Sequence, residues 1–247
     1  ILAFFIYIAL GFIGVEKLAP VVGQVMENSA AKSANIMPND KILSIDGKPI
    51  KEWDDISKLV KLQNMNIEIL RDKTTLNLTL TPKTGDAKTL FGEDIKKPLI
   101  GITPKGDFIR VYHKGFSAIP YAFNESLEAS KLIIVSLQKL VSGVVSVKEM
   151  GGIVAITDIT TKAASISLSV LLVLTALISV NLGILNLFPI PVLDGGHIVF
   201  NIYEIIFKKP VSDRVFVGLS YAGMALLFTL MAFTIINDFL RMFGAYN

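Results

Sequence analysis

The side chains best placed to do chemistry stand together in one stretch, Asn186-Leu187-Phe188-Pro189-Ile190-Pro191-Val192-Leu193-Asp194-Gly195-Gly196-His197. This stretch closes a run of 31 residues, Ala163 to Leu193, without one ionisable side chain. As a single straight helix the run would reach ~46 Å at ~1.5 Å per residue, against a hydrocarbon core of ~30 Å. Pro189 and Pro191 each remove a backbone donor and push the residue between them out of helical geometry. The helix must therefore break near Leu187 to Pro189. Non-helical backbone at membrane depth survives only where protein or a water-filled cavity surrounds it. An acid at the end of such a segment, here Asp194, is a candidate functional group. Its plainer reading is a helix-terminal acid at the membrane interface. Other chemistries are thinly supplied. There is no cysteine, which excludes disulfides, thiolate zinc sites and thiol catalysis. The two histidines, His113 and His197, stand 84 positions apart; His113 reads as a lone loop residue and His197 as structural or interfacial.

The spacing Asn-x-x-Pro-x-Pro-x-x-Asp-Gly over 186–195 resembles the third-helix signature of the site-2 protease family, the intramembrane zinc metalloproteases of M50 type. Every fixed position of that pattern is filled. Ser179-Val180-Asn181-Leu182-Gly183 and Lys209-Pro210-Val211-Ser212 resemble the bacterial branch, regulator of sigma-E protease-like, that trims anti-sigma factors. One departure is Gly151-Gly152-Ile153, where that branch usually has Gly-Pro. The resemblance implies that Asp194 is a zinc ligand, since a hard carboxylate oxygen suits Zn²⁺ and a catalytic site keeps three protein ligands and one water. It implies that Asn186 supports substrate or oxyanion through its amide, though a helix–helix hydrogen bond is the alternative. Pro189 and Pro191 would hold the chain extended, leaving carbonyls to meet an unwound substrate. The family's His-Glu-x-x-His is not in this sequence, so the chain as given lacks the other ligands and the general base. These are expected upstream of Ile1.

The remaining elements must position that stretch. Apolar residues make up 52% and charged residues 18% of the 247 residues, below the ~25% usual for soluble chains. A net charge of +3 leaves no nucleic-acid footprint. The composition predicts a polytopic α-helical membrane protein with an inserted soluble α/β domain. Residues 1–15 read as the end of a transmembrane helix, with a short interfacial helix as the alternative. Residues 117–147 read as a membrane-associated amphipathic helix carrying Phe123, Leu127, Ile134, Leu137 and Val141 on one broad face. Residues 163–194 read as the broken transmembrane helix and 215–236 as the last one, with Gly218 and Ala222 as a small-residue packing pair. Gly143 and Gly151-Gly152 predict irregular or extended chain from Val144 to Thr161.

Residues 18–104 carry the signals of the soluble domain. Val22 and Val25 suggest a strand; Asn28 or Ser29 can cap a short helix; Ile42 to Ile45 form a strand closed by Asp46-Gly47, a hairpin pair. Glu52, Asp54 and Asp55 crowd a helix start, offsetting its dipole. Leu76, Leu78 and Leu80 alternate with polar residues in a half-buried strand. Val22-Gly23-Gln24-Val25, Asn39 to Gly47 and Ile50 to Trp53 resemble a PDZ domain, in the circularly permuted form of bacterial membrane proteases. Leu99-Ile100-Gly101-Ile102 would then be the peptide-binding segment that receives a carboxylate. PDZ domains add an extended peptide to a sheet edge beside a helix; a spacer that binds nothing is the bland alternative.

Together these readings imply an intramembrane peptidase in regulated intramembrane proteolysis, acting on a single-span membrane protein such as an anti-sigma factor or remnant signal peptide. The lipid bilayer and a peptide or protein at the PDZ-like domain are the other partners. A non-catalytic PDZ-bearing membrane adaptor is the alternative; a transporter with paired broken helices would need a second interrupted span. Lys208, Lys209 and Arg214 after Asp194 indicate a cytoplasmic loop. The resemblance accordingly implies a multi-pass protein of the bacterial inner membrane, with the active site near the cytoplasmic side and the PDZ-like domain periplasmic.

Overall fold

The computed structural model describes residues 1–146 and 150–243. The chain opens with α1 (Leu2–Ile13), then β1 (Val15–Leu18), β2 (Val22–Val25), α2 (Ala30–Ser33), β3 (Lys41–Ile45), β4 (Lys48–Pro49) and α3 (Trp53–Leu59). The strands β5 (Met65–Arg71), β6 (Thr74–Leu80), β7 (Lys83–Lys88), β8 (Asp94–Leu99), β9 (Ile102–Pro104) and β10 (Phe108–Val111) follow. Five helices complete it: α4 (Ala118–Val141), α5 (Ile153–Ile166), α6 (Leu168–Asn186), α7 (Asp194–Phe207) and α8 (Asp213–Met242). Two compact units result, one of residues 14–112 and one of residues 1–13 with 113 onward.

The first unit is built on an antiparallel sheet in the order β4-β3-β5-β6. Alternation sends Ile42, Ile45, Met65, Ile67, Ile69 and Leu80 inward, where they pack with Val22, Ala31, Ile36, Ile56 and Ile100. The local punctuation follows residue chemistry. Ser29 caps α2, its Oγ accepting from the Lys32 amide at 3.1 Å. Asp46 and Gly47 both take left-handed backbone, φ 48° and 74°, which turns β3 back into β4 with the twist a tight hairpin needs. Glu52 and Asp55 form a reciprocal capping box at the start of α3. The unit is wider than 18–104: β1 pairs with β10, Val15 opposite Val111 and Leu18 opposite Phe108. A separate ribbon, β7–β8, stands outside the main sheet.

Asp40 is the buried charge in this unit, 1% exposed. Its carboxylate accepts from the Met37 amide at 2.8 Å and from Arg71 Nε and Nη2 at 2.7 and 2.6 Å. Arg71 also donates to the Asn35 carbonyl at 2.7 Å. The hydrogen bond to Asp40 pushes the Arg71 pKa further up, so the guanidinium keeps its charge. It ties the α2–β3 turn, where Asn35 and Asn39 hold φ 60° and 71°, to the end of β5.

The helical unit differs from its sequence reading in three places. First, the 163–194 run is not one broken helix. Ser167, at φ −168° and ψ 159°, ends α5 and caps α6, accepting from the Val170 amide at 3.2 Å. This leaves α6 with 19 residues, ~28 Å at ~1.5 Å each, a length that fits the hydrocarbon core. Second, the expected irregular chain from Val144 to Thr161 is helical from Ile153, because α5 takes its cap from far away. The Asp238 carboxylate in α8 accepts from the amides of Gly152 and Val154, both at 2.9 Å. Third, the 117–147 helix ends at Val141, where Gly143 at φ 75° terminates it; Val147 lies outside the described residues. Its small residues Ala118, Ala122 and Ala129 are buried, whereas Phe123, Leu127, Ile134 and Val141 are exposed. In α1, Ala3, Tyr7, Leu10 and Gly11 form the buried stripe; the 1–15 segment gives up helix at Gly14, φ 87°, and Val15 already belongs to β1. Among the described residues two helices, α6 and α8, are long and apolar enough to cross a membrane; α8 spans 215–236 and continues to Met242.

Replacing Asp40 by Ala strands the Arg71 guanidinium and the Met37 amide. The expected cost is roughly 2–3 kcal/mol. Hydrogen exchange of the β5 amides in the intact chain should lose ~30- to 100-fold of its protection, by the ~1.4 kcal/mol per decade relation; unchanged exchange would contradict the role given to Asp40.

Candidate functional site

The stretch that carries the chemistry is a loop between two helices. α6 ends at Asn186, and α7 begins at Asp194. Between them the backbone is unwound but not loose. The amides of Leu187 and Phe188 donate to the Ile184 and Leu185 carbonyls at 3.1 Å each, finishing α6. Ile190 donates to Phe188 at 2.7 Å and Leu193 to Ile190 at 2.8 Å. Pro189 and Pro191, which have no N–H, occupy the two positions where a helix would have demanded one.

Two glycines let this loop lie directly on the first turn of α7. A methyl group on Gly195 would strike the carbonyl oxygens of Leu187 and Phe188, and one on Gly196 would strike the Ile190 carbonyl. Both glycines are buried. A third glycine supports the loop from outside: a Cβ on Gly223 of α8 would sit 3.1 Å from Ile190 and Val192 side-chain carbons and 3.5 Å from Pro191. The small residues anticipated for this contact, Gly218 and Ala222, do not make it. Gly218 faces open space and Ala222 is exposed. The helix turns by ~100° per residue, so a shift of one position moves the packing stripe from Ala222 to Gly223.

The loop thus brings Asn186, Pro189, Pro191 and Asp194 into one short turn of chain. Asn186 is half-buried at the last position of α6, and its side chain has no hydrogen-bond partner among the described residues. Asp194 is exposed in the first turn of α7, where a carboxylate is favoured by the helix dipole. It has neither an ion pair nor a hydrogen bond among the described residues, so its oxygens are available. The carbonyls of Pro189, Pro191 and Val192 accept no backbone hydrogen bond among the described residues. The chain over 187–193 is a series of turns rather than the extended segment expected of Pro189 and Pro191, because the Ile190 and Leu193 amides fold back onto the Phe188 and Ile190 carbonyls. A free carboxylate beside such a turn, with backbone acceptors left unused among the described residues, can bind a cation and a polypeptide N–H. Among the described residues no three of His, Asp and Glu come together to hold a metal. His197 packs near Phe216, ring centres 6.0 Å apart, and His113 stacks on Tyr121 at 4.2 Å. The described residues therefore offer one hard donor where a zinc site needs three, and by themselves they do not fit the metal.

Leu99 to Ile102 belong to the other unit. They line a groove with Trp53 and Ile56 of α3 and Val60 just past its end. Gly101 holds φ 80°, and a side chain there would strike Ser29 Cβ. This left-handed turn leaves the amides of Ile100 and Gly101 without an acceptor among the described residues, while their carbonyls are taken by Ala31 and Met26 at 2.8 and 2.9 Å.

Three residues escaped the sequence reading: Gly223, Asn237 and Asp238. Asn237 and Asp238 are 1% and 3% exposed. The signal for them was an Asn-Asp pair closing an apolar run, just past the point where the span was drawn.

Residues 1–230 match the family described as Peptidase family M50, and the chain belongs to that family. A Campylobacter jejuni protein named as a candidate zinc metalloprotease is 49% identical over 244 residues, covering 99% of this chain and 66% of its own length. The regulator of sigma-E protease of Escherichia coli is 36% identical over 92% of this chain and 51% of its own. The regulator of sigma-W protease of Bacillus subtilis is 34% identical over 98% of this chain and 56% of its own. The chain thus spans about half to two thirds of the length of these relatives.

Gly195→Val and Gly196→Val should each unseat the loop from α7 and lower the melting temperature in detergent by several degrees. Gly218→Ala, on an open helix face, should instead be neutral or stabilise by up to ~1 kcal/mol. Equal effects at the three positions would contradict the packing described.

Proposed function

We propose that this chain forms part of an intramembrane zinc endopeptidase that cuts single-span membrane proteins, with Asp194 as one metal ligand. The observation that carries this reading is the proline-bracketed, unwound turn that leaves the Asp194 carboxylate and three backbone carbonyls without partners among the described residues, between two apolar helices. Membership of the M50 family and the names of the relatives support it. The other metal ligands and the general base lie in polypeptide outside these 247 residues, since the sequence holds no His-Glu-x-x-His.

Zinc, when bound, would supply Lewis-acid polarisation of the scissile carbonyl and an activated water. This chain's part is positioning. The carbonyls of Pro189, Pro191 and Val192 accept the N–H groups of a substrate segment that has lost its helix. Such backbone pairing is what an unwound substrate needs in a medium that offers no water. Asn186 directs its amide toward the same segment and steadies either the peptide or the oxyanion. Gly195 and Gly196 keep the loop pressed to α7, so that Asp194 is held at a fixed place relative to those carbonyls.

The sheet unit is the docking module of this reading, a PDZ-like domain on the periplasmic side of the bacterial inner membrane. The unpaired amides of Ile100 and Gly101, beside the apolar wall of α3, support capture of an extended peptide, with a terminal carboxylate received by those amides. The substrate class is a shortened anti-sigma factor or a remnant signal peptide, and the cut falls near the cytoplasmic face. The exposed apolar face of α4, with Phe123, Leu127 and Ile134, rests against the bilayer.

The decisive measurement uses the full-length protein. Asp194→Asn should abolish cleavage of a single-span substrate and lower bound zinc to well below one per chain. Its chromatographic behaviour and helix content should match the unsubstituted protein. Normal turnover by that variant would remove Asp194 from the site. A full-length protein that binds no metal yet still binds peptides would favour the adaptor reading.

A further inference from the structure

α8 touches the α5–α6–loop segment at two points far apart along its length. Near its middle, Gly223 supports Ile190, Pro191 and Val192. Near its end, Asn237 and Asp238 grip the start of α5. The Asp238 carboxylate accepts from the amides of Gly152 and Val154 at 2.9 Å and of Ala155 at 3.4 Å. Asn237 Nδ2 donates to the Met150 carbonyl at 2.6 Å. Gly152 allows this approach, for a Cβ there would lie 2.7 Å from Asp238 Oδ2 and 3.0 Å from the Thr234 carbonyl. The pair is almost fully buried, in a helix that carries no charge over 215–236.

An acid that only capped its own helix would stand at that helix's N-terminus. Asp238 stands near the C-terminus of α8, where the dipole disfavours it. It satisfies instead the free N–H groups of a different helix, 83 to 86 positions away in sequence. That arrangement is costly to leave half-made, because a buried carboxylate without its donors keeps its full desolvation penalty. It is therefore a fixed joint between α5 and α8.

The consequence lies at the other end of the segment. α5 packs along α6, α6 ends in Asn186, and the residues that connect Asn186 to Asp194 are the unwound 187–193. With the joint closed, α6 is tethered to α8 through α5, and the loop is tethered to α8 through Gly223. The two halves of the candidate site then share one rigid reference. With the joint open, α6 would keep its packing on α1 and α4 but lose its tie to α8 through α5. We propose that Asn237 and Asp238 are positioning residues for the peptidase site, locking α5 to α8 and thereby fixing Asn186 against the loop that carries Asp194; the catalytic part of this rests on the peptidase reading above.

The test uses the full-length protein with spin labels at the exposed Ile159 of α5 and Phe228 of α8, made cysteine-free elsewhere. The distance between labels should be narrowly distributed in the parent and broadened in Asp238→Ala, Asp238→Asn and Asn237→Ala. Cleavage by these variants should lose tenfold or more in kcat with KM and zinc content within twofold of the parent. Asp158→Ala, which breaks only an exposed pair with Lys162, should change neither readout. A narrow distance or unchanged kcat in Asp238→Ala would overturn the proposal, as would a matching loss of zinc or rise in KM, which would mark general unfolding instead of lost positioning. A parent protein that holds no zinc and cuts nothing would fail the peptidase reading itself and overturn the catalytic role with it, an outcome read from the parent alone and so distinct from the variant results.

Discussion

A polypeptide inside an apolar medium cannot leave helical geometry without finding partners for the backbone groups it releases. That constraint governs the helical unit. Pro189 and Pro191 make the departure from helix unavoidable, and they soften it by lacking the donors that would otherwise need partners. What remains is to wrap the exposed backbone in protein. Gly195 and Gly196 do this from below by letting the loop's carbonyls rest on the first turn of α7, and Gly223 does it from the side. Three glycines and two prolines are thus one device, and each is placed where a side chain, or a backbone proton, would disrupt it. The carbonyls left over among the described residues, at Pro189, Pro191 and Val192, lie in the same short turn of chain as Asn186 and Asp194.

The same reasoning explains why α8 carries an Asn-Asp pair. α8 has 30 residues, ~45 Å at ~1.5 Å each, longer than a hydrocarbon core of ~30 Å. Polar residues near its end are therefore not buried in lipid, and their near-complete burial comes from protein. An unpaired helix start at Gly152 and an unpaired carboxylate at Asp238 would each be expensive; together they cancel. The two glycine contacts, at 152 and 223, lie on the faces where α8 meets the rest of its unit.

Much of this was legible in the sequence wherever the cause is local. Ser29 caps α2 because its hydroxyl is three residues from a free amide. Asp46-Gly47 turns a hairpin because both residues tolerate left-handed backbone. The end of α6 at Asn186 follows from the prolines beyond it. The rest depended on partners distant in sequence. Glycines 151 and 152 read as helix breakers, and they do stand outside α5, but the helix that starts at Ile153 is nucleated by a carboxylate more than 80 positions later. Gly218 and Ala222 have the spacing of a packing pair, yet the angular phase of α8 against the loop selects Gly223, and phase is a tertiary property. The β1–β10 pair was missed because two four-residue strands 90 positions apart carry no pattern that joins them.

The donor count is where chemistry and fold meet. A single carboxylate is a poor resident site for a divalent cation, because one ligand neither encloses the ion nor compensates its lost hydration. It is nevertheless a good completing ligand, provided its position is set independently of the ion. The surrounding structure meets that proviso: among the described residues nothing hydrogen-bonds to the Asp194 carboxylate, while the backbone around it is pinned. The loop is pinned to α7 by glycines and to α8 by Gly223, and α6 is pinned to α8 through α5. A carboxylate left chemically free on a mechanically fixed backbone can close a coordination shell begun elsewhere without having to reorganise the chain that carries it.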